Sequence, residues 1–286
     1  MPRRRRRSPS GGGKGGATRP PSPPSQAHRG DQASDSHSFH RGGGRNLRLA
    51  ATTALIAAIW VVSDLGYYFL LPTLGVAPDY NLGSVAVSLY YVFWVGVAVI
   101  AFWPQYATWP RHAGWATFGN RLKSFAVWSV AFTAAVAFTA YVLPALPPFT
   151  PQNVSNPPQL PLATGWYFLP KSIDILFQQL LVAALVLSLA AERYSLRRIS
   201  VLCALLFGGT HILLALGDVP WGYVTRFALL ASVFGLAFPY LMLRVPNGLA
   251  YSYVAHWSYY AITVLMARTL GPSTVPELFK RLLDWV

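Results

Sequence analysis

Two histidines, His211 and His256, lie inside apolar stretches long enough to cross a bilayer, and a third such stretch carries the amide pair Gln178-Gln179. Titratable and strongly polar groups at membrane depth are costly and usually face a protein-lined space, so these three segments are where a site is expected. Helical spacing groups the polar residues further. Phe207 and His211 are one turn apart and share a face, as do His256 and Tyr260, and as do Asp174 and Gln178. Three helices could therefore aim an acid, two amides, two imidazoles and a phenol at one cavity. Such a set could transfer protons or stabilise an oxyanion. With interhelical hydrogen bonding as its only role, each residue would contribute about 0.6 kcal/mol. His211, His256 and Asp174 could in principle hold zinc, but with neither an HExxH pattern nor a second acid nearby, no metal or cofactor is expected. Asp174 reads as an exposed acid at a helix N-terminus, stabilised there by the helix dipole. Asp64 and Arg226 are the remaining charges inside apolar windows. Arg226 reads either as snorkelling to the outer interface or as a cation serving the site, with Asp64 a candidate partner across the bundle.

The elements that must position these residues are membrane helices. The 286-residue chain is 53% hydrophobic and 11% charged, less than half the charge of an ordinary soluble domain. Seven windows are long and apolar enough to cross the hydrocarbon: 48–71, 83–103, 124–146, 172–191, 199–217, 223–243 and 248–267. Arg111, Arg121 and Lys123, then Arg193, Arg197 and Arg198, then Arg244 fall in alternate connections, whereas the loops 72–82, 147–171 and 218–222 hold only Lys171. That alternation predicts a cytoplasmic N-terminus, seven crossings and an external C-terminus. Trp103, Trp166, Tyr167 and Trp221 fall near span ends, where interfacial aromatics belong. Pro239 is expected to kink the sixth span.

The formal charge of +14 suggests nucleic acid until its placement is considered, since eleven of the 23 Lys and Arg lie in the first 48 residues. Residues 1–46, built from Arg, Gly, Ser and Pro, are expected to be a disordered basic tail that fixes orientation and meets anionic lipid. No nucleic-acid partner is expected. After the tail come three spans over 47–146, a Pro-rich extramembrane loop over 147–171, a four-helix core over 172–268 and a short interfacial tail over 269–286. Asn153-Val154-Ser155 has the glycosylation pattern, without meaning in a bacterial protein. The Arg-, Ala-, Gly- and Pro-rich composition suggests a GC-rich genome and a bacterial plasma membrane. The single cysteine, Cys203, excludes an intramolecular disulfide.

The order of motifs across 172–267 resembles the CPBP family, the type II CAAX prenyl proteases and bacteriocin-processing intramembrane proteins. Phe207-Gly208-Gly209-Thr210-His211 matches the family's Phe-x-x-x-His, and Asn247-Gly248-Leu249 through His256 is similar to the approach to its His-x-x-x-Asn or Asp helix. The resemblance implies an intramembrane endopeptidase in which a glutamate activates water with a histidine while the other histidine and Asn support the oxyanion. This chain departs from that pattern. Gln178-Gln179 stands where the glutamate pair belongs, Ala183 where the arginine belongs, and Tyr260 in place of the Asn or Asp. An amide cannot accept a proton near neutral pH, and losing a general base forfeits about 10²- to 10⁴-fold in rate. Tyr260 could still donate to an oxyanion. The expectation is a catalytically silent relative that binds a peptide, lipid or partner helix, with Phe207, Asp174 and Arg226 in support of His211, His256 and Tyr260. The alternative is an active endopeptidase with a non-standard base, either Asp174 or His211.

Overall fold

The computed structural model describes residues 38–109, 117–149 and 159–270. Among them the chain is all-helical. It divides into two compact units, Met1–Gly42 and Gly43–Val286, and the bundle belongs to the second. Its long helices are α1 (Ser38–Leu65), α2 (Ser84–Ala101), α3 (Phe118–Ala137), α4 (Phe168–Ala191), α5 (Leu196–Thr210), α6 (Trp221–Arg244) and α7 (Gly248–Thr269). Among the described residues, six stretches are long and apolar enough to cross a membrane: Leu49–Thr73, Ser84–Ala101, Phe118–Ala145, Gly165–Ala191, Leu196–Gly217 and Trp221–Arg244. The protein is thus a helical, multi-pass membrane protein by length and composition. Helix α7 has the length but less apolarity, because His256 and several Ser and Tyr residues dilute its aliphatic ones.

Helix α1 begins inside the segment expected to be an unstructured tail; residues 1–37 of that tail lie outside the described ones, as do Arg111, the Asn153 sequon and the terminal segment from Pro276. Two spans run further than their α-helical parts because each negotiates a proline. Pro72 and Pro144 sit just after π-helical segments, Gly66–Leu70 and Phe138–Val142. A proline ring clashes with the carbonyl four residues back, and widening the preceding turn to an i→i−5 pattern accommodates it. The Leu71 N–H accordingly bonds to the Gly66 carbonyl. Helix α6 continues through Pro239, which is buried.

Thr117 and Ser195 cap α3 and α5 by accepting from backbone N–H groups of Asn120 and Arg198. Turns at Arg193, Asp218 and Asn247 use left-handed backbone, with φ of 60°, 55° and 61°, so α4 to α7 follow one another with short connections.

Helix α4 is the hub: its span is 72% buried, against 6% for that of α3, and it packs on α2, α5 and α7. The outward faces carry Leu89, Ile100, Phe125, Phe132 and Leu205, all exposed, as lipid-facing surfaces should be. Helices α5 and α6 meet over small residues. A methyl group on Gly235 would sit 2.6 Å from the Cα of Ala204, and one on Gly208 would collide with Ser232. This is close backbone packing of the small-xxx-small kind. Gly209 has open space beside it, so of the glycine pair only Gly208 serves the crossing.

Candidate binding cavity

A cavity of about 390 Å³ lies among α1, α2, α4, α6, α7 and the 3-10 turn that ends the α5 span. Apart from Trp60 and Gln178 near mid-span, the helical residues lining it come from the halves of their spans toward the loops at Pro78, Gln159–Pro161 and Val219, with α7 tied to that end by Arg268 donating to the Pro161 carbonyl. The cavity therefore occupies one end of the bundle, the end served by the cation-poor loops.

Asp174 organises its floor. Far from being an exposed N-terminal acid, it is 3% exposed and holds three hydrogen bonds. Lys171 Nζ lies 2.8 Å from Oδ2, Gln178 Nε2 donates to Oδ1 at 2.8 Å, and Tyr80 Oη lies 3.0 Å from Oδ2. Tyr80 Oη is also 2.8 Å from Tyr91 Oη. One hydroxyl has one proton, so Tyr80 donates to the carboxylate and accepts from Tyr91. Burial, with Asp174 and Tyr91 beside it, pushes the Tyr80 phenol well above its ordinary range, so it remains a donor across ordinary pH.

Lys171 corrects the loop reading. It belongs to the first turn of α4, is buried, and places its ammonium 4.3 Å from the Tyr260 ring centroid and 5.0 Å from that of Tyr80, within cation–π range. Sequence reasoning missed Lys171 by assigning it to the 147–171 loop. Its spacing of three from Asp174 was the available signal. Tyr80 and Tyr91 were missed outright, since nothing near them in the chain marks them.

The remaining expected site residues divide into two groups. Asp174, Gln178, His211, Tyr260 and Arg226 line the cavity, together with Asp64 and Trp60 of α1. Gln179 and His256 do not. Gln179 is fully buried behind it, its Nε2 3.3 Å from His256 Nδ1 and its Oε1 accepting from Ser252 Oγ at 3.0 Å. Phe207 separates the histidines, its ring edge-on to His211 at 4.9 Å and to His256 at 5.6 Å. A second space of only about 10 Å³, lined by both histidines and Tyr260, lies between them. The six residues proposed for one site thus form a cavity wall and a packed layer behind it.

His211 Nδ1 lies 2.6 Å from the Phe207 carbonyl oxygen. A carbonyl only accepts, so Nδ1 carries the proton and Nε2 is left with its lone pair. Arg226 is exposed, with its guanidinium 6.0 Å from the Tyr223 ring, and therefore sits at the rim, the snorkelling position. It makes no ion pair with Asp64. Tyr67 and Tyr68, consecutive in the π-helical segment, both reach the cavity, placing a second irregular turn beside the irregular turn at His211. No protein-family model matches the chain, and neither does any curated protein or solved structure.

Proposed function

We propose that this protein is a seven-span membrane protein with a CPBP-like four-helix core over 172–268, and that it binds a peptide, lipid or partner helix in its cavity without cleaving it. The N-terminus is cytoplasmic and the C-terminus external, so the cavity opens in the outer half of a bacterial plasma membrane. The observation that carries the non-catalytic reading is the fate of the two amides. Gln179 spends both its polar groups on His256 and Ser252, and Gln178 spends its amide N–H on Asp174. The positions at which the family activates water are thus occupied by groups that cannot take a proton, and one histidine of the pair is committed to packing.

The alternative reading, an active endopeptidase with a non-standard base, draws on Asp174 and Asp64, which line the same cavity as His211. Both Asp174 oxygens are already engaged, by Lys171, Tyr80 and Gln178. Asp64 has a side-chain hydrogen bond with Trp60 but no ion pair among the described residues.

The two readings separate in a proteolysis assay in liposomes comparing wild type, Gln178→Glu and His211→Ala on membrane-anchored peptides. The binding reading expects no cleavage by wild type above that of His211→Ala. Cleavage by wild type that disappears in His211→Ala would refute it.

A further inference from the structure

The cavity is lined by two acids, Asp64 and Asp174, and by two cations, Lys171 and Arg226. Lys171 is the buried one of the two cations, whereas Arg226 is exposed at the rim. The ammonium is already used: it is 2.8 Å from Asp174 and rests on the Tyr260 and Tyr80 rings. Asp64 lies within electrostatic reach of both Lys171 and Asp174 but has no ion-pair partner among the described residues. The Asp64 carboxyl group thus lies at membrane depth with no cation paired to it, where an ionised acid is expensive.

Two neutral acceptors are unmatched in the same space. Gln178 Oε1 is a buried atom with no hydrogen-bond partner, although its amide nitrogen is bonded. His211 is 9% exposed and lines the cavity, and Nε2 is its bare acceptor because Nδ1 is engaged with Phe207. Buried polar atoms are normally satisfied, so unsatisfied ones lining a cavity mark what its occupant should supply. Here the occupant should supply donors and a positive charge.

The walls suit such a group. Trp60, Tyr67, Tyr68 and Tyr260 present rings to the cavity, and the Lys171 ammonium over Tyr260 at 4.3 Å shows that these rings already hold one cation. Arg226, at the exposed rim, is screened by solvent and opposes a deep cation only weakly.

We propose that the cavity binds an organic ammonium, a protonated amine on a hydrocarbon stem, with the Asp64 carboxylate as its counter-ion and Gln178 Oε1 and His211 Nε2 as neutral acceptors. This rests on the binding reading above and names its ligand class. An anion or a neutral lipid tail would leave all three acceptors unpaired.

The test uses the full chain in neutral maltoside detergent at pH 7, titrated calorimetrically with n-octylammonium, n-octanol and octanoate at matched ionic strength, with heats referenced to protein-free detergent. A hydrogen bond to a charged partner predicts that wild type prefers octylammonium to octanol by about tenfold or more. Asp64→Asn should abolish that preference. Equal binding of octylammonium and octanol by wild type overturns the ammonium assignment while leaving the cavity reading intact, and so does a preference that survives in Asp64→Asn. Binding of none of the three by wild type overturns the cavity reading as well. The selectivity of wild type decides the matter even where Asp64→Asn does not fold.

Discussion

Replacing Lys171 with methionine removes the cation from beside a buried carboxylate. The Nζ–Oδ2 separation is 2.8 Å and the two side chains are 10% and 5% exposed. At an effective dielectric of 20, that distance corresponds to a gross attraction of roughly 6 kcal/mol. Desolvation of both ions consumes much of it in the intact pair, but deleting one partner leaves the other still buried and uncompensated. The expected loss is about 3–5 kcal/mol, softened at the low end because Tyr80 and Gln178 still donate to Asp174. Methionine keeps the length and apolar stem of the side chain, so the effect reports charge and not a cavity. The double variant Lys171→Met/Asp174→Asn removes both charges together and should be far less destabilised than Lys171→Met alone, within about 1–2 kcal/mol of wild type. Unfolding in mixed maltoside–dodecyl sulfate micelles, followed by tryptophan fluorescence, measures all four corners of the cycle. Wild-type stability in Lys171→Met, or a double variant equal to the sum of the singles, would refute the buried pair and return Lys171 to the loop.

Two further substitutions probe the packing behind the cavity and the helix crossing beside it. Gln179→Leu, nearly isosteric, leaves His256 Nδ1 without its partner, while Ser252 keeps the Leu249 carbonyl, and should cost about 1–3 kcal/mol in the same unfolding assay. Gly235→Ala forces a methyl group to within 2.6 Å of the Ala204 backbone, so it should destabilise by about 1–3 kcal/mol, whereas Gly209→Ala, with open space, should be tolerated.

Much of the bundle is readable from the sequence because bilayer thickness imposes a length on apolar runs. The windows at 199–217, 223–243 and 248–267 all reappear as helices within a few residues of their expected ends. Ends that moved did so for local reasons invisible to apolarity: the π-helical turn ahead of Pro72 carries the first span past its expected stop, and the 3-10 turn at Gly165–Tyr167 draws α4's span outward over Lys171. That extension is why the key cation was mistaken for a loop residue.

Within the site, same-helix geometry was legible and cross-helix geometry was not. Phe207 and His211 do meet, as do His256 and Tyr260, whose ring centroids are 5.6 Å apart. The Gln178-Gln179 pair held an unused clue. Neighbouring residues on an α-helix point about 100° apart, so the two amides present different sides of α4. Asp174, one turn from Gln178, belonged with that residue and not with Gln179. Which of the two faced the cavity depended on how α4 is rotated against α2 and α7, and that rotation is set by tertiary packing.

The central claim, a water-reachable cavity on one side of α4 and a sealed layer on the other, is tested most directly by thiol accessibility at those two adjacent positions. In a Cys203→Ser background, Gln178→Cys and Gln179→Cys would each be reacted with aminoethyl methanethiosulfonate, a small cationic thiol reagent, in sealed proteoliposomes. Thiol reactivity follows access to the reagent. Residue 178 is predicted to label at least about tenfold faster than residue 179, which should react only once the protein is unfolded. Equal labelling at both positions, or an inert thiol at 178, would contradict the account.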